Sequence, residues 1–307
     1  MSKYRLVTRS DMDGLVCAVI LKQLNLIDEI IFVHPKDMQD GKIEITSNDI
    51  ITNLPYSAKA YMVFDHHESE AMRNGEASNY HIDASAPSAA RIVYDYYGGK
   101  LKLPQVSELM MEAVDKADAA QFNVEDILNP DGWELLSFLM DSRTGLGRFR
   151  DFTVSNYQLM MNLIDYCIDH TIEEIMLLPD VVERVELFEQ YQDDFQMQLE
   201  RCSIIYDNLI VLDLREEEII YPGNRFMIYA LNPEVNISIH ILWGFKKQNT
   251  VYATGASIIN RTSNTNIGEL MLKYGGGGHK AAGTCQIDND KADTILEELI
   301  QAINTDG

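Results

Sequence analysis

The feature that most constrains the fold is a short apolar segment that ends in three ionisable residues. It runs from Tyr61 to Phe64 and ends in Asp65, His66 and His67. A short apolar and aromatic run of this kind predicts a buried strand. Because ligands bind beyond the carboxyl ends of strands in open α/β sheets, the segment predicts metal ligands or acid–base groups at that edge. Two solvated histidines on a surface loop are the alternative.

A second predicted strand end, near the amino terminus, carries two aspartates. Residues 5–8 predict a strand and residues 15–24 predict an apolar helix, so Asp11 and Asp13 lie on the turn between them. Helix capping is the alternative role, because aspartate near a helix start stabilises the helix by roughly 1 kcal/mol. Two carboxylates on one turn, followed by Gly14, favour convergence on a cation. We therefore predict metal binding at this turn.

A third acidic pair lies on a predicted helix over residues 109–120. Asp115 and Asp118 are three residues apart and share one helix face. Most such pairs are solvated, but the neighbouring residues here are small and apolar. One of these acids is therefore a candidate to point inward.

The order of elements predicts an α/β fold with two sheets. Strands and helices alternate over residues 1–130, which predicts a parallel sheet. The pattern then becomes helical, with a break or a helix start at Pro179, and strands return after Asn208; one of them is predicted at Arg225–Leu231. The predicted domains are a domain with a parallel sheet (1–165), a helical connector (166–204) and a smaller α/β domain with a mixed sheet (205–307).

Composition limits the classes of partner. The net charge of −23 opposes capture of long duplex DNA. It leaves room for a short phosphorylated substrate, because bound cations reverse the local sign of the potential. No apolar run reaches the roughly 18 residues that a membrane helix needs, and the four cysteines are scattered without a CxxC pair. We therefore predict a cytoplasmic protein without a membrane partner, and leave a homodimer open.

A glycine run near the carboxyl terminus predicts a substrate contact. Gly275–Gly278 precede His279 and Lys280. Successive bare N–H groups form an anion-binding nest, to which the two basic side chains add charge. A flexible linker is the alternative. Arg261, at the end of a predicted strand, is a candidate phosphate clamp, with an ordinary surface arginine as an equal alternative.

Taken together, these motifs resemble the DHH phosphoesterase superfamily with its DHH-associated C-terminal domain. The resemblance covers nearly the whole chain and looks closest to the exopolyphosphatase-like or oligoribonuclease-like branch. It implies a metal-dependent phosphoesterase that hydrolyses phosphodiester or phosphoanhydride bonds by metal-activated water. It also implies that residues 1–165 form the metal-binding catalytic domain and residues 205–307 the substrate-binding domain. The implied substrates are short oligonucleotides, dinucleotides or polyphosphate. The implied cofactor is Mn2+, with Mg2+ as the alternative, bound as one or two ions.

The resemblance also implies a role for individual residues. His67 would lie close to the scissile phosphate, and Asp65 would orient a histidine. The implied metal ligands are Asp11, Asp13, His66 and Asp118. The implied substrate-binding residues are Gly276, Gly277, Gly278 and His279, to which the sequence adds Arg261.

Two positions depart from the pattern of the superfamily. Arg9 stands where a histidine is usual, and Asn53 stands where a bridging aspartate is usual. We therefore predict a one-metal site or a weakened second position, with Arg9 acting as a catalytic residue on a phosphate oxygen. Replacement of the lost ligands by His34 or Asp37 is the alternative. A nucleotide-binding or regulatory protein that keeps the cleft without turnover is the second function class.

Overall fold

The computed structural model describes residues 3–307, apart from the side chain of Ser69. No helix among these residues is long and apolar enough to cross a membrane. Contacts within the chain group it into two compact units, the first comprising Met1–Gln121 and Pro130–Leu187 and the second Phe122–Asn129 and Phe188–Gly307. The functional domains predicted over 1–165, 166–204 and 205–307 stay a prediction.

The first unit contains a five-stranded sheet in which every pair of neighbours is parallel. Its strands are β1 (Tyr4–Thr8), β2 (Ile27–Phe32), β3 (Asp49–Thr52), β4 (Met62–Asp65) and β5 (Tyr80–Ile82). The order across the sheet is β2-β1-β3-β4-β5. The chain moves outward from β1 to β2 and then returns to the other side of β1. The order therefore reverses between β1 and β3, where α/β sheets of this order bind their ligands.

Helices surround this sheet, and the first of them is its central packing element. Helix α1 is buried from Met12 to Leu21, where it packs against α4, α6 and α9. Pro179 begins α11, in agreement with the predicted break or helix start. The helices up to the second sheet are α1 (Met12–Gln23), α2 (Pro35–Gln39), α3 (Glu68–Arg73), α4 (Ala89–Tyr96), α5 (Gly99–Lys102), α6 (Glu108–Asp118), α7 (Val124–Leu128), α8 (Gly132–Met140), α9 (Asn156–Asp169), α10 (Ile172–Ile175), α11 (Pro179–Gln190) and α12 (Gln192–Cys202).

The second unit contains a six-stranded mixed sheet. Its strands are β6 (Ser203–Tyr206), β7 (Leu209–Asp213), β8 (Ile237–Trp243), β9 (Thr250–Ala256), β10 (Gly277–His279) and β11 (Ala282–Ile287), and its remaining helices are α13 (Met227–Leu231), α14 (Ile267–Lys273) and α15 (Ala292–Asp306). The order is β10-β11-β9-β8-β7-β6. Among these described strands, only the β7–β8 pair is parallel. The predicted fold class, an α/β chain with a parallel sheet followed by a separate mixed sheet, is confirmed.

The strand predicted at Arg225–Leu231 is wrong, because this segment forms helix α13, Met227–Leu231. Its residues from Phe226 to Ala230 are all buried. A short run that is apolar on every side shows neither the alternation of a half-exposed strand nor a helical stripe. Periodicity therefore could not distinguish the two structures.

Gly14 allows α1 to start directly against the end of β1. A Cβ at this position would lie 2.0 Å from the Arg9 carbonyl oxygen and 2.8 Å from Thr8 Oγ1. The first of these atoms belongs to the backbone, so a side chain at residue 14 requires the strand end to move. This close approach fixes the turn that carries Asp11 and Asp13.

We predict that Gly14→Ala lowers the free energy of unfolding by about 1–3 kcal/mol, because overpacking at a rigid contact has this cost. Chemical denaturation measures the change. Gly75→Ala is the matched control, since a Cβ at Gly75 meets no atom within 4 Å. Equal free energies of unfolding for the two variants would contradict the packing explanation.

A partly buried histidine in the second sheet is expected to make stability depend on pH. His240 lies in β8 between Leu212 of β7 and Ala253 of β9. Burial, reinforced by the charge of Arg225, lowers its pKa to about 4. The unfolded chain therefore binds more protons than the folded one at pH values between about 4 and 6.5.

We predict that the free energy of unfolding falls between pH 7 and pH 5 in the natural chain, and that this fall is about 2 kcal/mol smaller in His240→Gln. The sign follows from the lowered pKa. As the pH falls, His240 takes up a proton more readily in the unfolded chain than in the folded chain, and this destabilises the folded chain. Urea denaturation of both proteins at the two pH values measures the difference. Parallel pH dependences would rule out this role for His240.

Candidate active site

Three side chains of metal-ligand type converge at the carboxyl edge of the first sheet. Asp13 lies in the first turn of α1, His66 follows β4 and Asp118 ends α6. One ligand atom of each lies within 4.8 Å of the others, and His66 Nε2 is 2.8 Å from Asp118 Oδ2. Carboxylate and imidazole together suit Mn2+ and related divalent cations. We call Asp13, His66 and Asp118 the acid–histidine group.

The hydrogen bonding of His66 fits a metal ligand. Its Nδ1 lies 3.3 Å from the carbonyl oxygen of Ala86. A carbonyl only accepts, so the proton of the neutral ring is on Nδ1 and the lone pair is on Nε2. Although Nε2 is close to Asp118, it is buried without a hydrogen-bond partner of suitable geometry. Metal-ligating histidines typically donate their other N–H to a carbonyl or carboxylate in this way.

The electrostatics of the site also fit a cation. Burial, then the charge of Asp118, raises the pKa of Asp13 well above its ordinary value. Burial lowers the pKa of His66, but the Asp118 and Asp13 carboxylates outweigh it and raise that pKa to about 9. The group therefore retains protons that a divalent cation would displace on binding.

Backbone groups that the sequence analysis missed hold Asp13 in place. Its carboxylate accepts from the amides of Ala90 at 2.7 Å and Ala89 at 3.1 Å, at the start of α4. Ser88 caps the same helix by accepting from the Arg91 amide. Backbone amides leave no direct trace in a sequence. The signal was indirect, in the capping serine that marks where α4 begins.

Asp11 is held by protein groups and lies outside the acid–histidine group. Its Oδ1 accepts from the Gly14 amide at 3.0 Å, which is the capping role considered from the sequence. Asn53 Nδ2 donates to both of its oxygens, at 3.1 and 3.3 Å. Arg9 Nε lies 3.0 Å from its Oδ2. The two departures from the superfamily pattern thus both contact Asp11, whose metal binding stays a prediction.

His67 and Asp65 form a hydrogen-bonded pair beside this group. His67 Nδ1 lies 2.7 Å from Asp65 Oδ1. Asp65 is fully buried, whereas the side chain of His67 is 35% exposed. A buried carboxylate on Nδ1 fixes the orientation of the ring and leaves Nε2 for another partner. This is the arrangement that the resemblance implied, and its catalytic role stays a prediction.

Other candidate acids and histidines are engaged elsewhere. Asp115 Oδ2 lies 2.5 Å from Arg91, so it supports α4 and α6 rather than the acid–histidine group. His34 Nδ1 accepts from the Lys36 amide and caps α2. Asp37 pairs with Lys42 at 2.7 Å. Neither His34 nor Asp37 belongs to the acid–histidine group.

The glycine run belongs to the second unit and forms a hairpin. Gly277, Gly278 and His279 pair with Thr284, Gly283 and Ala282 of β11. A Cβ at Gly276 would lie 2.0 Å from the Thr284 carbonyl oxygen, so a side chain there would prevent this close pairing. The end of the glycine run is therefore part of a strand, and its role as an anion-binding nest stays a prediction. Arg261 is exposed, and its Nε donates to the Ile258 carbonyl at 3.0 Å. Substrate contact by these residues stays a prediction.

Comparison with solved structures gives the chain a family. The pGpG-specific phosphodiesterase PggH from Vibrio cholerae is 60% identical, with a TM-score of 0.90, over 99% of this chain and 100% of that one. RecJ from Thermus thermophilus in complex with Mn2+ is 13% identical, with a TM-score of 0.49, over 98% of this chain and 52% of that one. The RecJ likeness is too distant to support an argument. No family model and no curated protein matches the chain.

The parallel sheet, the Asp-His-His strand end and the acid–histidine group define a phosphoesterase of the DHH type. The chain belongs to the family of the pGpG-specific phosphodiesterase PggH, within the DHH phosphoesterase superfamily. The resemblance drawn from the sequence motifs and the prediction of a phosphoesterase are confirmed.

We predict that Asn53→Asp lowers the free energy of unfolding by about 2–4 kcal/mol in metal-free buffer. The change replaces two hydrogen bonds to Asp11 by a second carboxylate, and unpaired buried charge is costly. Thermal and urea denaturation with a chelator measure it. Asn53→Gly is the control, because it also loses the hydrogen bonds but tolerates the positive φ of 54°. Equal losses in the two variants would show that charge repulsion at Asp11 is unimportant.

Proposed function

We propose that this protein is a metal-dependent phosphodiesterase that hydrolyses pGpG, or a closely similar dinucleotide, to mononucleotides. The observation that carries the proposal is the acid–histidine group in a chain that is 60% identical, over its whole length, to a pGpG-specific phosphodiesterase. Of the substrates that the sequence left open, a dinucleotide is therefore favoured over polyphosphate.

Asp13, His66 and Asp118 would hold the divalent cation. A cation bound there neutralises charge on the phosphoryl group and lowers the pKa of water. The mixed oxygen and nitrogen ligands suit Mn2+, with Mg2+ as the alternative. Asp11 already accepts from Gly14 and Asn53 and pairs with Arg9. This engagement supports a single ion as the working state.

The protein's own side chains supply the remaining chemistry. Asp65 orients His67, so that Nε2 of His67 exchanges a proton with an oxygen of the scissile phosphodiester. Arg9 carries a permanent positive charge, and its side chain is 38% exposed, so it can contact a phosphate oxygen while Nε stays on Asp11. Arg9 thereby takes over part of the charge neutralisation that a second metal ion would provide in a two-metal site.

The second unit contributes the residues proposed to contact substrate. Gly276, Gly277 and Gly278 keep the β10–β11 hairpin free of side chains, so a ligand can approach its backbone closely. His279 is exposed beside them, and Arg261 adds a positive charge in the loop before α14. We propose that this set binds a phosphate or the terminal nucleotide.

We predict Mn2+-dependent release of GMP from pGpG by the purified full chain, with no release in excess chelator. Liquid chromatography of the products measures it, on a panel of pGpG, pApA, a five-residue oligonucleotide and polyphosphate. Asp118→Asn should reduce kcat by at least about 100-fold, because the group loses an anionic ligand. Asp115→Asn is the control, since Asp115 pairs with Arg91.

The panel separates the two function classes. If the natural chain hydrolyses pGpG and the Asp118→Asn and Asp115→Asn variants lose kcat equally, Asp118 is not a metal ligand of the active site. Tight binding of pGpG without release of GMP in the presence of any divalent cation would show that the protein is a nucleotide-binding protein and not an enzyme. Release of phosphate from polyphosphate alone would replace the proposed substrate.

A further inference from the structure

A cavity within the first unit adjoins the proposed active site. Its volume is about 420 Å³, which lies in the range of about 300–1,000 Å³ that is usual for small-molecule sites. Arg9 and Ser10 line one side of it. Arg9 directly follows β1 and contacts Asp11. The cavity therefore begins at the end of β1, next to the point where the sheet order reverses. A ligand in it would have one end next to the proposed phosphate chemistry.

The lining of the cavity is mostly apolar. The end of β2 and the residue after it contribute Phe32 and Val33, α8 contributes Leu136 and Met140, and α9 contributes Tyr157. Such a surface suits a flat, weakly hydrated ring, whereas a phosphate group needs hydrogen-bond donors. Polyphosphate has no part that would fill this space. Two charged residues of the lining are already engaged, because Arg184 donates to the Asp180 and Val154 carbonyls and Asp141 accepts from Arg143. The apolar part of the cavity therefore suits a part of the substrate that carries no charge.

Tyr157 gives the cavity a surface for stacking. It lies in the first turn of α9, whose start is fixed by the Ser155 cap. Its ring meets the Phe32 ring nearly edge-on, with centroids 5.9 Å apart and planes at 80°. The residue is nevertheless 53% exposed. A large aromatic ring that lines a cavity and is half exposed is available to stack on a nucleobase.

His34 adds a directional polar group to the same cavity. Its Nδ1 accepts from the Lys36 amide at 3.1 Å. The neutral ring therefore carries its proton on Nε2, which is a donor. Guanine presents two neighbouring acceptors, O6 and N7, whereas adenine presents N7 beside a donating amino group. A donor that faces the O6 position of the base therefore favours guanine, because the amino group of adenine at that position offers it no acceptor.

We propose that this cavity binds one nucleobase of the dinucleotide, with preference for guanine. The base stacks on the Tyr157 ring and contacts Phe32 without stacking on it, His34 donates to its acceptor edge, and Arg9 contacts the phosphate that follows. This inference rests on the proposed function, since it names the part of pGpG that selects the substrate. It explains how a chain of net charge −23 prefers a nucleotide to a more highly charged polyphosphate.

Binding of guanosine to the metal-free full chain tests the cavity without requiring turnover. Isothermal calorimetry should give a dissociation constant that Tyr157→Ala raises about 10–100-fold, because stacking on an aromatic ring contributes this much per base. Tyr157→Phe keeps the ring and should stay within about threefold of the natural chain. Tyr96→Ala is the matched control, since Tyr96 is an exposed tyrosine of the same unit outside the cavity. Adenosine should bind about 5–100-fold more weakly than guanosine.

The outcomes distinguish this inference from the proposed function. Absence of guanosine binding, or binding that Tyr157→Ala leaves unchanged in a folded variant, would overturn the base site. Equal binding of adenosine would overturn the guanine preference. Guanosine binding that depends on Tyr157, in a protein that does not hydrolyse pGpG, would keep the base site and reject the proposed reaction.

Discussion

The hydrogen-bonded contact between Asp11 and Asn53 is the interaction on which the site depends. The two residues are 42 positions apart, but they follow neighbouring strands of the first sheet, on the two sides of its order reversal. Their contact ties the loop after β1 to the loop after β3. The cap that Asp11 makes on Gly14 then fixes the start of α1. This helix start directs Asp13 towards His66 and Asp118.

The negative charges of the carboxylates in the site are balanced in two different ways. Asp11 is neutralised by fixed protein groups, because Arg9 is a permanent cation and Asn53 is a neutral donor. Asp13 accepts from the amides of Ala89 and Ala90, and Asp118 lies beside His66. Burial and the charge of Asp118 raise the pKa of Asp13, and the two carboxylates raise the pKa of His66. Under the proposed function, Arg9 and a bound divalent cation would therefore divide the neutralisation of charge. Arg9 would keep the loop folded without metal, and the cation would be available to the substrate.

Sequence reasoning succeeded where function is concentrated in a short segment. Asp65 ends β4 and is followed directly by His66 and His67, so a local pattern sufficed to locate them at the sheet edge. Reasoning failed where the partner is distant or is backbone. The sequence marked Asn53 only as a missing ligand, because its hydrogen bonds to Asp11 depend on the pairing of strands. The carbonyl of Ala86 that orients His66 leaves no signal at all.

The opposition between the charge of the chain and the charge of the proposed dinucleotide substrate explains why the cavity matters. A net charge of −23 repels a dinucleotide at long range, so electrostatic steering cannot supply the selectivity. Local cations compensate only for the phosphates, and they compensate equally for every phosphorylated chain. Burial of an apolar ring does not depend on net charge and distinguishes a nucleotide from polyphosphate. Selection by the base and chemistry at the phosphate are then separate tasks, and Arg9 is the residue that the two sites share.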